Sequence, residues 1–250
     1  MNLLLTIAGG ALGVVVPLLF AWVLMRGIER SPFGAAAAAR HKRTVVRVVG
    51  AWTLLCWVAS LNGVVSYHEG DMFPRFLVPL LVPVAAGLVL MANRTFRTIV
   101  AHTPARTLVG AQTFRLAGVV FFALTGLGIL PAAFTSSGYG DLATGILAAV
   151  AAVALGRRSR AGGVLFWACQ AAGMADLLYV AWLLLAYYPG HYAAVPSSAP
   201  AFEFSLALLP ILAAPMALLL HCYAILGVVQ RRARSSAHGS PATSGSLDAA

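Results

Sequence analysis

Charge is scarce in this chain. Only 10% of its 250 residues are Asp, Glu, Lys or Arg, where a soluble domain carries about 25%. So few charges cannot cover a water-facing surface. An ordinary soluble domain is therefore excluded, and most of the surface is expected to face lipid. Lysine is reduced to Lys42, which lies outside every apolar run, so a retinal Schiff base has no attachment point. Cysteine is limited to Cys56, Cys169 and Cys222, each inside an apolar run. An odd number of embedded thiols is not a disulfide framework, and these read as small core residues. No P-loop, Gly-x-Ser-x-Gly or His-Glu-x-x-His motif occurs. A single histidine in an apolar run, His221, argues against bis-histidine haem ligation. Neither a cofactor nor a metal is expected.

What is present is a series of long apolar stretches. A span needs about 20 mostly apolar residues to cross roughly 30 Å of hydrocarbon. Seven stretches qualify, near 3–25, 46–66, 76–93, 115–134, 140–156, 163–187 and 204–229. The fold class expected is an all-α, polytopic transmembrane bundle of seven spans over 1–230. A disordered cytoplasmic tail is expected over 231–250, where small and polar residues dominate. The fifth stretch is the shortest of the seven. Thr103-Pro104 reads as a helix start, with Thr103 as cap and proline at the first helical position.

The net charge of +10 is distributed in short basic runs between apolar stretches. That is a pattern for anionic lipid head groups at a cytoplasmic face, not for nucleic acid. Arg26 to Arg47, Arg94 to Arg115, Arg157 to Arg160 and Arg231 to Arg234 fall on one side, and of the basic residues only Arg75 falls on the other. The positive-inside bias then sets the N-terminus outside and the C-terminus inside, in a bacterial cytoplasmic membrane. No basic residue precedes the first stretch, while Arg26 and Arg30 follow it, so it reads as a retained span rather than a cleaved signal. The opposite side holds His68, Glu69, Asp71, His191 and Glu203 in no recognised metal-ligand spacing. They read as solvated loop.

Polar groups inside a span are costly and become candidates by default. Asp176 stands near the middle of the sixth span among small residues, and should face the bundle. His221 in the seventh span and Gln170 in the sixth stand at similar depth. At about 1.5 Å rise per residue, Asp176 and His221 differ in depth by roughly 7–9 Å, so a bridging water is expected rather than a direct bond. Asn62 completes the set of transport or proton-site candidates. Gln112 and Arg115 are three residues apart and share a face. They read as a cytoplasmic entrance, with the arginine snorkelling. Gly138 and Gly140 read as a tight outer turn, with Asp141 capping the fifth helix.

Gly138-Tyr139-Gly140-Asp141 looks like the Gly-x-Gly-Asp signature of intramembrane aspartyl proteases. That resemblance implies a second aspartate sharing the site. Asp176 is the only other acid in a span, but it follows the motif instead of preceding it, lies about 13–17 Å deeper by helical rise, and no Pro-Ala-Leu element is present. The 3+1+3 layout is similar to sugar-permease and PQ-loop transporters, without their Pro-Gln dipeptide. Gln112 to Gly145, with Leu130-Pro131, Phe134, Gly140-Asp141 and Gly145, together with Asp176 and Pro215 to His221, resembles an uncharacterised family of bacterial multi-pass membrane proteins. That resemblance implies no activity. The leading expectation is a small-solute or ion transporter with proton coupling, more a carrier than an enzyme. The alternatives are a sensor or accessory protein docking through its basic loops, and an intramembrane enzyme.

Overall fold

The computed structural model describes residues 3–71, 73–190 and 196–238. Helices α1 (Leu3–Arg30), α2 (Ala35–Leu61), α3 (Leu77–Leu90) and α4 (Arg94–His102) are followed by α5 (Ala105–Ala111), a 3-10 segment (Gln112–Gly118) and α6 (Val119–Gly126). Then come α7 (Phe134–Gly156), α8 (Ala161–Ala186), a short 3-10 turn (Ala199–Phe202), a π segment (Leu209–Ala213) and α9 (Ala214–His238). No strand occurs among the described residues.

Six helical stretches are long and apolar enough to cross a membrane. A seventh span exists if α3 and α4 count as one, although they are bent by 90° at their junction. The cause of that bend is local. The helical rise gives the 14 residues of α3 about 21 Å of length. Asn93 then starts α4 by accepting the Phe96 backbone N–H at 3.1 Å, an N-cap that begins a new helix in a new direction. Helix α4 buries Ile99, Val100 and Ala101 and leaves Arg94 exposed.

The π segment and α9 form the centre. Most of this span is buried, whereas α2 is largely exposed. Helix α2 instead exposes Val46, Val48, Leu54, Leu55 and Val58, an apolar surface suited to lipid. The inner side of α2 repairs its neighbours. Proline cannot return a backbone bond to the carbonyl four residues earlier. Pro17 in α1 frees the Gly13 carbonyl, which accepts Trp57 Nε1–H at 3.2 Å. Pro215 likewise leaves the Ile211 carbonyl, which lies 3.8 Å from Cys56 Sγ. In lipid no water is at hand to serve such groups. Trp57→Phe keeps the ring edge against Phe204 but strands the Gly13 oxygen. It is expected to cost about 1–3 kcal/mol, read as a lower unfolding midpoint in detergent.

Several expected boundaries move. The fourth span starts at Ala105 and ends at Gly126, not at 115–134. The helix start read at Thr103-Pro104 belongs to this span, which therefore begins well before the apolar run at 115. Pro104 rather than Thr103 is the N-cap residue. Helix α2 begins at Ala35, so Arg40, Arg43 and Arg47 lie on a helix. Helix α7 begins at Phe134 and has 23 residues; counting Ala105–Gly126 as one stretch, the shortest helical stretch among the expected spans is α3, with 14 residues. The turn before α7 is made by Gly128, at φ 68°, not by Gly138 and Gly140. Helix α9 continues through His238, past the expected start of the tail. The rest of that tail, with His191 and Tyr192, lies outside the described residues.

Candidate functional site

The 3-10 segment is the local feature that builds the site. With three residues per turn, side chains at i and i+3 eclipse, so Gln112 and Arg115 project in one direction. Both are buried, Arg115 to 3% exposure. Gln112 donates Nε2–H to the Ala217 carbonyl of α9 at 2.8 Å. Arg115 is therefore not an entrance residue snorkelling at a helix end. It is the centre of a polar cluster inside the bundle.

Every nitrogen of the Arg115 guanidinium is engaged. Nε donates to Asp141 Oδ1 of α7 at 2.6 Å, and Nη2 donates to Asp176 Oδ2 of α8. Nη1 donates to the Gly173 carbonyl at 3.0 Å and stands 3.5 Å from His221 Nε2 of α9. Arginine has only donors, so Nε2 is the accepting nitrogen of the imidazole. The proton then sits on Nδ1, which lies 2.7 Å from Gln170 Oε1 and donates to it. One arginine thus ties the 3-10 segment to α7, α8 and α9. It also stands where a water was expected to link Asp176 with His221.

Glycine lets these groups meet. A Cβ on Gly118 would collide with Asp141, one on Gly140 with the Asp176 carboxylate, and one on Gly173 with His221 and Arg115. Gly145 brings α7 against the 3-10 backbone, where a Cβ would come within 2.8 Å of Leu116 N. Gly138 and Gly140 are therefore contact residues in the second turn of α7, and Gly138 packs on the Phe122 ring. Asp141 does not cap a helix. It lies seven residues into α7 and shares a guanidinium with Asp176. The large depth separation expected between these acids came from starting the helix at residue 140.

Of the other expected residues, Gln170, Asp176 and His221 belong to the cluster. Asn62 does not. It ends α2, is exposed, and donates Nδ2–H back to the Val58 carbonyl at 2.8 Å. In the loop between α2 and α3, Asp71 pairs with Arg75 at 2.6 Å, and Ser66 donates to Glu203 Oε2 at 3.3 Å, which ties this loop to the segment before the π helix. Among the described residues, buried polar atoms around the cluster make no hydrogen bond, including Gln112 Oε1, Gln170 Nε2 and Thr144 Oγ1. Buried groups of this kind call for an explanation, such as a water or a ligand.

A half-open groove of about 230 Å³ runs beside the cluster. Its walls come from α3, α6, α8 and the α9 span, with Leu80, Phe121, Leu124, Leu184 and Leu209 among them. Arg115 and Asp141 are the charged residues in that wall, and Asp176 is not part of it. The arrangement departs from the proton-sharing pair of an aspartyl protease, because each carboxylate faces a guanidinium instead of the other acid.

No curated protein and no solved structure matches the chain. A family profile, described as a domain of unknown function (DUF8737), matches residues 73–229. That stretch holds Gln112, Arg115, Asp141, Gln170, Asp176 and His221. It covers more than half of the sequence, and the chain belongs to that family.

Proposed function

We propose that this protein is an integral membrane carrier of a small solute or ion, coupled to a proton held by the Asp141–Arg115–Asp176 triad. The observation that carries the reading is a charge count. Two carboxylates oppose one guanidinium, and the bonds of His221 need no charge. With both acids ionised, one negative charge is left over inside an apolar bundle, where an unbalanced charge is costly. One proton removes the surplus. Gaining or losing it changes how tightly Arg115 holds α7 against α8, and so links protonation to helix packing. The 3-10 segment and the π segment supply irregular backbone beside the groove, as the interrupted helices of transporters do. His221 and Gln170 are positioning residues, holding the guanidinium from the α9 side. The basic runs support an orientation with the C-terminus in the cytoplasm.

Infrared difference spectra recorded across a pH titration in lipid test the proton role. A carboxylic-acid band that titrates in the wild type and disappears in Asp141→Asn or Asp176→Asn is the expected result. A wild-type spectrum with no titrating carboxyl band would remove the proton from the mechanism. Stabilisation by sodium without such a band would assign the surplus charge to a metal cation instead.

A further inference from the structure

The groove has one polar patch, Arg115 with Asp141, and its sign is readable. Arg115 lies in the wall, yet each of its three nitrogens already bonds inside the cluster and its side chain is only 2% exposed. It offers almost no surface to an incoming anion. The Asp141 side chain is 16% exposed. Its Oδ1 takes the Arg115 bond, and Oδ2 has no hydrogen bond among the described residues. The groove wall therefore presents one carboxylate acceptor, which shares the surplus negative charge with Asp176, and the remaining wall is almost wholly apolar.

We infer that this groove binds a small lipophilic amine, with its ammonium group on Asp141 Oδ2 and its apolar body between α3, α6, α8 and the α9 span. The inference rests on the proposed carrier function and names its substrate class. A carboxylate or phosphate ligand would meet the wrong sign. An inorganic cation would satisfy Asp141 but leave the apolar walls unused. An uncharged alcohol would fill the walls without balancing the charge. An ammonium ion with a hydrocarbon body does both, and its positive charge replaces the proton in balancing the triad. Exchange of amine for proton at one carboxylate follows from that shared position. The size is that of a small ligand. An apolar cavity of about 150 Å³ accommodates benzene, so the observed groove suits a body somewhat larger than one aromatic ring.

Phenethylamine, 2-phenylethanol and phenylacetate share a ring and differ in head group. Their binding is measured by titration calorimetry on the full chain in lipid nanodiscs, with empty nanodiscs as the blank. Saturable phenethylamine binding is expected, with the alcohol about tenfold weaker and the acid undetectable. Asp141→Asn is expected to abolish the preference for the amine over the alcohol. Ala181→Phe, placed in the groove wall away from the ion pairs, is expected to weaken the amine about tenfold while leaving the infrared carboxyl titration unchanged. Equal association of all three probes, as for a groove that holds only a lipid chain, would overturn the inference. So would retention of amine preference in Asp141→Asn. If Asp141→Asn does not fold, the probe series on the wild type and Ala181→Phe decide the matter. A titrating carboxyl band without amine binding removes the ligand class and keeps the proton site. Amine binding without a titrating band does the reverse.

Discussion

Arg115→Met is expected to lower the stability of the purified protein by about 3–5 kcal/mol, the usual cost of removing one partner from a buried ion pair. The effect is large because Arg115 serves two carboxylates, the Gly173 carbonyl and the His221 side at once. Its removal leaves Asp141 and Asp176 facing each other with no counter-charge. Single changes of the acids should behave differently. Asp141→Asn or Asp176→Asn leaves a one-to-one pair, and each is expected to cost no more than about 1 kcal/mol. The double change Asp141→Asn/Asp176→Asn strands the guanidinium and should again cost about 3–5 kcal/mol. The acids are thus strongly non-additive. The triple change Arg115→Met/Asp141→Asn/Asp176→Asn removes every charge and should recover much of the loss. Denaturation in a mixed detergent series reads these differences directly. Additive losses from the two acids would refute the shared-arginine account.

Gly140→Ala is the second large effect. A Cβ at this position would run into the Asp176 carboxylate, which is held by Arg115 and has little room to move. Overpacking of a tight contact costs about 1–3 kcal/mol, and here the ion pair is disturbed as well. Gly163→Ala, in the first turn of α8, is the matched control. Nothing lies within 4 Å of its added methyl, so helix propensity should make it neutral or stabilising by up to about 1 kcal/mol. Equal thermal midpoints for the two variants would show that α7 and α8 do not rely on the close approach at Gly140.

Much of the site was legible one residue at a time. Asp176, Gln170 and His221 stood out because hydrocarbon penalises polar side chains, and all three lie in the cluster. The shared face of Gln112 and Arg115 was legible from their spacing. Their position was not, because an arginine next to an apolar run has the same sequence signature whether it snorkels or pairs inside. Asp141 was misread for a related reason. Ser136, Ser137, Gly138 and Gly140 form a string that favours turns in water. In a packed bundle the same small residues let two helices approach. Asn62 was the opposite error, since its polarity is satisfied by its own helix.

Composition and apolar run length by themselves determined that the described residues form a helical bundle with six to seven segments able to cross a membrane, because only hydrocarbon tolerates so few charges over so much surface. Tertiary packing alone decided that Asp141 and Asp176 share one arginine. Contacts between residues 26 and 61 positions apart depend on how closely helices approach. That approach is set jointly by Gly118, Gly140 and Gly173 on different elements, so no single stretch of sequence carries it.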